Sequence, residues 1–323
     1  RRSQTVTPED DVLERFQIDT RGVSVRAPEA VAIAEHSDGS YLDEWGVLWS
    51  RPEGGHYLPV RGPFQEREPH RSLLDSHPWP GTSDPSRLGS VAERARRLHQ
   101  GTSYAVVLSL PRGVFSTCLT LRGFADFLAD LLVNRSFAEA LMDRVTEVWI
   151  AIAEQSLRSV GECVDVVQFA DDLGHQHAPL VSPDLYRRLI QPVHARMVGT
   201  IKKCSNARVL LHSDGAIRPL IGHLIDAGVD VLNPVQVSAD GMDTPELKRL
   251  FGDHLSFWGA IDTQEVLPYG NVERVRAEVR RRIRDLARQG GYVLASVHNI
   301  QPDVPPENIV AMFETALESG GHR

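Results

Sequence analysis

Cysteine is scarce in this chain, with only Cys118, Cys163 and Cys204, widely separated, odd in number and without a CxxC pair. That excludes a disulfide framework and a thiolate zinc knuckle, and it fits a reducing, cytoplasmic setting. No apolar run reaches the roughly 18 residues of a membrane span, and no secretory leader is read at the start, so no membrane partner is expected. Positive charge is also in deficit: 35 Lys and Arg stand against 43 Asp and Glu, a net charge of −8. A nucleic-acid binder needs a basic stripe or patch, and none is found. Arg94, Arg96 and Arg97, and Arg280 to Arg282, lie in helical patterns rich in acids and read as solvated faces. No GxGxxG follows a strand-like run, which removes the dinucleotide-binding fingerprint. Internal repeats and low-complexity tracts are missing too. The chain opens at Arg1 and in mid-pattern, which sets the expectation of a preceding segment.

What remains is an ordinary globular composition, 323 residues with 41% hydrophobic and 24% charged, long enough for a large core. The first hundred residues look irregular. Tyr41 to Trp49 and the glycine-rich Pro52-Glu-Gly-Gly55 suggest a hairpin, and a proline-rich connector runs from His77 to Pro85. A helix is expected at 88–100. Beyond it, apolar β-branched runs at 104–110, 163–170, 207–212, 229–235, 255–261 and 291–297 alternate with helical patterns near 120–133, 135–160, 183–203, 216–227, 244–251, 272–289 and 306–319. Continuous apolar strands between amphipathic helices predict a parallel α/β sheet with covered faces. The fold expected is a TIM-type (β/α)8 barrel, with residues 1–100 as an irregular N-terminal lid and 101–323 as the body of one structural domain. Six strands are read directly. Two more would have to come from the N-terminal region or a preceding segment, and an open doubly wound sheet is the alternative.

In such barrels the chemistry lies at the C-terminal ends of the strands, and polar residues gather there. The runs end in Gln168-Phe-Ala-Asp171-Asp172-Leu-Gly174-His175-Gln176-His177, in His212-Ser-Asp214-Gly215, in Asn233-Pro-Val-Gln236, in Asp262-Thr-Gln264 and in His298-Asn299. Each has a structural alternative. Asp262 reads equally as a cap, Asp214-Gly215 as a turn, and Asn233-Pro234 as a turn opener. His177 and His194 read more readily as surface or satisfied histidines. His212 and His298 each end an apolar strand directly and carry the functional reading. Imidazole and carboxylate are zinc ligands, and His212 with Asp214, two apart at a strand end, project to one side. Asp171, Asp172, His175 or His177 would add a ligand or a supporting hydrogen bond. Without a metal, the same groups form an acid/base set in which carboxylates tune imidazoles.

Taken together, Asp11-Val-Leu-Glu-Arg-Phe16, Ile18-Asp-Thr-Arg-Gly22, Asp43-Glu-Trp-Gly46, Phe169-Ala-Asp-Asp-Leu-Gly174, Leu211-His-Ser-Asp-Gly215, Leu232-Asn-Pro-Val-Gln236, Trp258-Gly-Ala-Ile-Asp262 and His298 to Asn308 resemble the uroporphyrinogen decarboxylase superfamily. The resemblance runs from about residue 11 and is strongest over 163–312. It implies a TIM-type barrel and one of two chemistries. One branch decarboxylates the acetate arms of uroporphyrinogen III without a cofactor. The other holds zinc-dependent methyltransferases that move methyl groups to or from a corrinoid. In its coenzyme M members the zinc motif is His-X-Cys and a later Cys, and those positions fall on His212, Asp214 and His298. Oxygen and nitrogen would thus replace two thiolates, leaving a more electrophilic metal suited to an ether or hydroxyl oxygen. Against the decarboxylase branch, the chain has no Arg-Gln-Ala-Gly-Arg motif, and that branch's Gly-His-Gly is matched only by the histidine of Val297-His298-Asn299.

The leading expectation is therefore a methyltransferase or O-demethylase with zinc on His212, Asp214 and His298. Asp171, Asp172, Asp214 and His298 would carry the proton chemistry, and Gln168, His175, Asn233, Gln236 and Asp262 would orient a small substrate. Cobalamin would be carried by a separate corrinoid protein. A decarboxylase of uroporphyrinogen III or a related carboxylated aromatic is the alternative, and a barrel kept as a non-catalytic partner of a corrinoid protein is a third. Substrate identity and oligomeric state, a homodimer included, are left open. Trp45, Trp49, Tyr57 and Trp79 are where specificity is expected, although Trp45 and Trp49 read equally as core.

Overall fold

The computed structural model describes residues 8–28, 36–53 and 55–319. Gly54, in the expected glycine-rich turn, lies outside them. The chain divides into two compact units, one of residues 20–171 and 187–207, the other of residues 8–19, 172–186 and 208–319.

In the first unit, strand β1 (Thr20–Ser24) precedes a small antiparallel sheet of β2 (Tyr41–Leu42), β3 (Leu48–Ser50) and β4 (Leu58–Arg61). Strands β5 (Ala105–Ser109) and β6 (Val166–Ala170) follow. β1 pairs in parallel with β5, and β5 with β6, so that Leu108 lies opposite both Val23 and Val167. Val106, Val107 and Leu108 are buried at consecutive positions, which requires cover on both faces and explains the unbroken apolar run. Cover comes from helices including Val91–Gly101, Val114–Arg122 and the 26-residue Arg135–Val160, which packs on Gln191–Cys204.

The expected hairpin is a three-stranded meander. Its entry turn is built by Asp43, whose carboxylate accepts the N–H groups of Trp45 and Val47 and the indole N–H of Trp49. Glu44, which is partly exposed, pairs with the buried Arg87. Trp45 is 7% exposed with its ring 5.2 Å from that of Trp149, so it belongs to the core, whereas Trp49 is only half-buried.

The end of β6 is locked by Asp171. Its carboxylate is 0% exposed and accepts from Ser116 N (2.6 Å) and Phe115 N (3.1 Å), and it lies 2.9 Å from Nε2 of the equally buried His194. The residue just past the strand thus satisfies amides in the first turn of the helix Val114–Arg122, where negative charge also meets the positive end of the helix dipole. Gly113 permits the approach, since a Cβ there would stand 2.3 Å from Asp171 Oδ2.

In the second unit β7 (Arg208–His212), β8 (Val231–Asn233), β9 (Ser256–Ile261) and β10 (Tyr292–Ser296) pair in parallel in that order. Val275 and Val279 of the helix Val272–Leu286 and Met312 of Pro306–Ser319 bury against Ile261 and Leu267. Asp243 and Asn271 cap their helices as such residues should. Asn308, 1% exposed, donates to Leu267 O and Gly270 O and so satisfies carbonyls at the end of another helix. Phe16, just past the helix Asp10–Arg15, stacks on Phe313.

Seven parallel strands are present among the described residues. Six match the apolar runs, and β1 is the strand from the N-terminal region. No helix among the described residues is long and apolar enough to cross a membrane.

Asp171→Ala should destabilise the first unit by about 3 kcal/mol, because two helix amides and a buried imidazole lose their acceptor. Urea unfolding followed by circular dichroism reads this directly, and a change under about 1 kcal/mol would contradict the locking role.

Candidate active site

All the residues that form this site belong to the second unit. His212 is the last residue of β7, its side chain 19% exposed. Nδ1 lies 2.6 Å from Asn233 Oδ1, at the end of the neighbouring β8. The Asn233 amide nitrogen donates to Trp258 O at 3.1 Å, which fixes the amide's orientation. Its oxygen therefore faces the imidazole and must accept, so Nδ1 carries the proton and the Nε2 lone pair is directed elsewhere.

Nε2 points at two carboxylates. Asp214 Oδ2 is 3.5 Å away and Asp172 Oδ1 3.9 Å, with side chains 28% and 55% exposed. Asp214 N also donates to Asp172 Oδ1 at 3.1 Å. One ligand atom from each of Asp172, His212 and Asp214 falls within 4.8 Å of the others. In a tetrahedral zinc site with bonds of about 2.1 Å the ligand atoms stand about 3.4 Å apart, so the two nitrogen–oxygen separations fit an ion with small adjustments. His298 is exposed, its ring centroid 6.3 Å from that of His212. It stands beside the cluster, and Asp172 takes the third position in the group.

The loops carrying these residues are laced by backbone bonds. Ser213 Oγ accepts from Leu173 N, and Gly215 N donates to Gln236 Oε1 at 2.8 Å. The Gln236 amide donates to Gln176, whose own amide donates to Ser238 O. Gly215, at φ +93°, passes so close that a Cβ would sit 2.4 Å from the Gly174 carbonyl carbon. Sequence reasoning missed Ser213 and Gln176. The signal for Ser213 was its place between two inward-facing residues, which turns it toward the neighbouring loop.

The remaining expected residues are placed as follows. Asp171, expected to share proton chemistry with Asp172, is sealed in the first unit as described. Gln168 is half-buried on β6 in that unit. Asp262 is 7% exposed and accepts from the amides of Gln264, Glu265 and Val266, which is the capping alternative. Asn233 and Gln236 hold the frame of the site. His175 is exposed on the 172–177 loop, and His177, also exposed, lies 3.2 Å from Asp240. His194 is a satisfied core histidine.

Burial alone would lower the His212 pKa. The hydrogen bond and charge of Asp214, the hydrogen bond to Asn233 and the charge of Asp172 together outweigh it and hold the pKa above the ordinary 6.5.

A family model described as uroporphyrinogen decarboxylase (URO-D) matches residues 56–319. The chain belongs to that family. Among curated relatives of this family member, a methylcobamide:CoM methyltransferase of Methanosarcina barkeri is 28% identical over 203 residues, covering 59% of this chain and 55% of the relative. A methylated-thiol–coenzyme M methyltransferase of Methanosarcina mazei is 21% identical over 271 residues, 84% of this chain and 67% of the relative. A uroporphyrinogen decarboxylase of Pelodictyon phaeoclathratiforme is 24% identical over 187 residues, 57% and 49%. The chain thus spans between about half and two thirds of the length of these relatives. The structure of a methyltransferase from Methanosarcina mazei superposes with a TM-score of 0.65 at 18% identity, covering 95% of this chain and 82% of that one, and so shares the fold.

A raised histidine pKa has a definite sign in its effect on stability. The stabilisation from protonated His212 is fully present below pH 6.5, its unfolded value, and is lost as pH rises through the higher folded value. In metal-free protein, an NMR titration should find the His212 imidazole above 6.5, and Asp214→Asn should move it down. An unchanged midpoint in the variant would contradict the assignment.

Proposed function

We propose that this family member is a zinc-dependent methyltransferase of the O-demethylase type, moving a methyl group between a small substrate and a corrinoid carried by a separate protein. The observation that carries this reading is the convergence of Asp172, His212 and Asp214 with the imidazole fixed to present Nε2. The TIM-type (β/α)8 barrel expected from the sequence is the scaffold in this reading. The Methanosarcina relatives supply the corrinoid part, since the name of one specifies a methylcobamide.

Asp172, His212 and Asp214 would hold the ion. Bound there among one nitrogen and two carboxylates, it would supply Lewis acidity toward an ether or hydroxyl oxygen. The chain's own residues do the rest. Asn233 fixes the His212 tautomer, a positioning role of the kind that commonly supports metal-bound imidazole. Gln236 holds Gly215, and through it the backbone on which Asp214 is mounted. His298, exposed beside His212, would exchange a proton with the substrate oxygen, which would keep the bonding pair of the broken carbon–oxygen bond and take one proton, the reduced corrinoid supplying the nucleophile that accepts the methyl group. His175 on the neighbouring loop is assigned to substrate contact.

The alternative is a cofactor-free decarboxylase, favoured by the description of the family model and by relatives such as the Pelodictyon enzyme. Chelation separates the two, because decarboxylation by the same side chains would survive it.

Purified protein should carry about one zinc per chain and lose it in His212→Ala, while Asn233→Ala should weaken zinc binding by roughly 10- to 100-fold. Methyl transfer from a methoxylated aromatic to reduced cobalamin, followed by the corrinoid spectrum, should stop on chelation and return with zinc. A metal content below about 0.1 per chain that is not raised by reconstitution would end the reading, since the three ligands would then lack the affinity of a zinc site.

A further inference from the structure

The helix Phe124–Val133 of the first unit is apolar on the side where a surface helix is ordinarily polar. Its inward side is filled by Phe127 and Leu131, at 0% and 1% exposure. Its two polar side chains, Asp126 and Asp130, are both committed within the chain. Asp130 accepts from Arg122 Nε at 2.6 Å and from the Asn134 amide at 2.8 Å, and Asp126 accepts from Glu66 N at 2.9 Å. At about 3.6 residues per turn, the outward half-circle carries Phe124, Ala125, Leu128, Ala129, Leu132 and Val133, with no polar side chain among them. Phe124 is 55% exposed, Leu132 72% and Val133 75%. Single exposed leucines are ordinary on a protein surface, but an uninterrupted apolar half-circle marks a contact.

Size and charge both bear on what covers this face. Its residues leave about 500 Å² of apolar surface open, and a standard interface takes about 800 Å² from each partner, roughly 65% of it apolar in homodimers. The helix thus supplies the apolar centre of one such interface. At its N-terminal end stand the exposed Glu66, whose N–H meets Asp126, and the exposed Arg67. Just past its C-terminal end, Arg135 and Glu139 begin the helix Arg135–Val160, with side chains 49% and 44% exposed and 3.0 Å apart. One end therefore offers an acid and then a base, the other a base and then an acid. That order is complementary to itself when the helix is turned end for end.

We propose that this face pairs with the same face of a second copy of the chain, the two helices lying antiparallel across a two-fold axis. With the axis between Leu128 and Ala129, Phe124 meets the partner's Val133 and Ala125 meets the partner's Leu132. Large side chains thus fall opposite small ones, and Ala125 and Ala129 let the helix axes approach to about 8 Å. Glu66 comes to the partner's Arg135 and Arg67 to the partner's Glu139, and the symmetry makes each contact twice. Opposed helix dipoles favour the same orientation. A parallel pair would instead set Glu66 against the partner's Glu66. The inference concerns self-association and is independent of the proposed methyl transfer.

The test is sedimentation equilibrium of the full chain at loading concentrations from about 0.5 to 100 μM, where an interface of this size should give a dimer with a Kd on the order of 1–10 μM. Leu132→Glu should weaken the dimer at least about 30-fold, because it places a charge at the apolar centre of the contact. Leu250→Glu, at an exposed leucine of the second unit, should leave the dimer unchanged. Unfolding midpoints of both variants, measured at concentrations where the parent is monomeric, separate lost association from lost folding. Orientation is read by charge reversal. Glu66→Arg and Arg135→Glu should each weaken the dimer several-fold, and the double variant should recover most of the loss, since the antiparallel pair is restored with its signs exchanged. A monomer at every concentration would mean that a different partner covers the face, and would overturn the proposal. So would a dimer that folded Leu132→Glu leaves intact, or a double variant weaker than either single one.

Discussion

The hydrogen bond from His212 to Asn233 decides what the cluster at the end of β7 can do. An imidazole has two nitrogens, and its chemistry depends on which one is presented as a base. Here the choice is settled two steps away, where the Trp258 carbonyl takes the Asn233 amide N–H and leaves the amide oxygen for Nδ1. The chain of three groups crosses three neighbouring strands, β7, β8 and β9. Sheet register therefore determines the protonation pattern of the ring and leaves Nε2 facing Asp172 and Asp214.

Asp171 and Asp172 show how little residue type alone decides. They are the same residue at adjacent positions just past the end of β6, and they meet different surroundings. Asp171 is sealed from solvent and holds a helix start and a buried histidine. Asp172 is more than half exposed and stands beside His212. The first has the burial and the hydrogen bonds of a structural carboxylate, the second the access that chemistry requires.

Much of the fold was legible in the sequence, because continuous apolar runs and 3.6-residue periodicity report burial directly. The helix Arg135–Val160 and the strand Ala105–Ser109 fall where those patterns put them. Strand β1 was harder to see, since Thr-Arg-Gly-Val-Ser alternates only weakly and its partner lies some eighty residues on. At the site, His212, Asp214 and Asn233 were recognisable from their place at strand ends. Asp172 was named beside Asp171, His175 and His177 as an added ligand or supporting hydrogen bond, and that it alone of these joins the group with His212 and Asp214 depends on how the 172–177 loop is bonded to 213–216. Asp262 illustrates the limit: an aspartate after a strand has the same sequence whether it meets a substrate or three backbone amides.

The loops around the cluster are held through backbone groups and through glutamines that lie outside the candidate ligand set. Gly215 N on Gln236, Leu173 N on Ser213 and the Gln176–Gln236 link all hold whatever side chain stands at 172 or 214. The frame and the donor atoms are thus separable. A lineage on this scaffold can exchange one donor for another, thiolate for carboxylate or the reverse, by a single codon and without rebuilding the loop. Under the proposed zinc reading, the kind of metal, and with it the kind of leaving group, would be a cheap variable in this architecture, whereas the address of the donor atoms would be an expensive one.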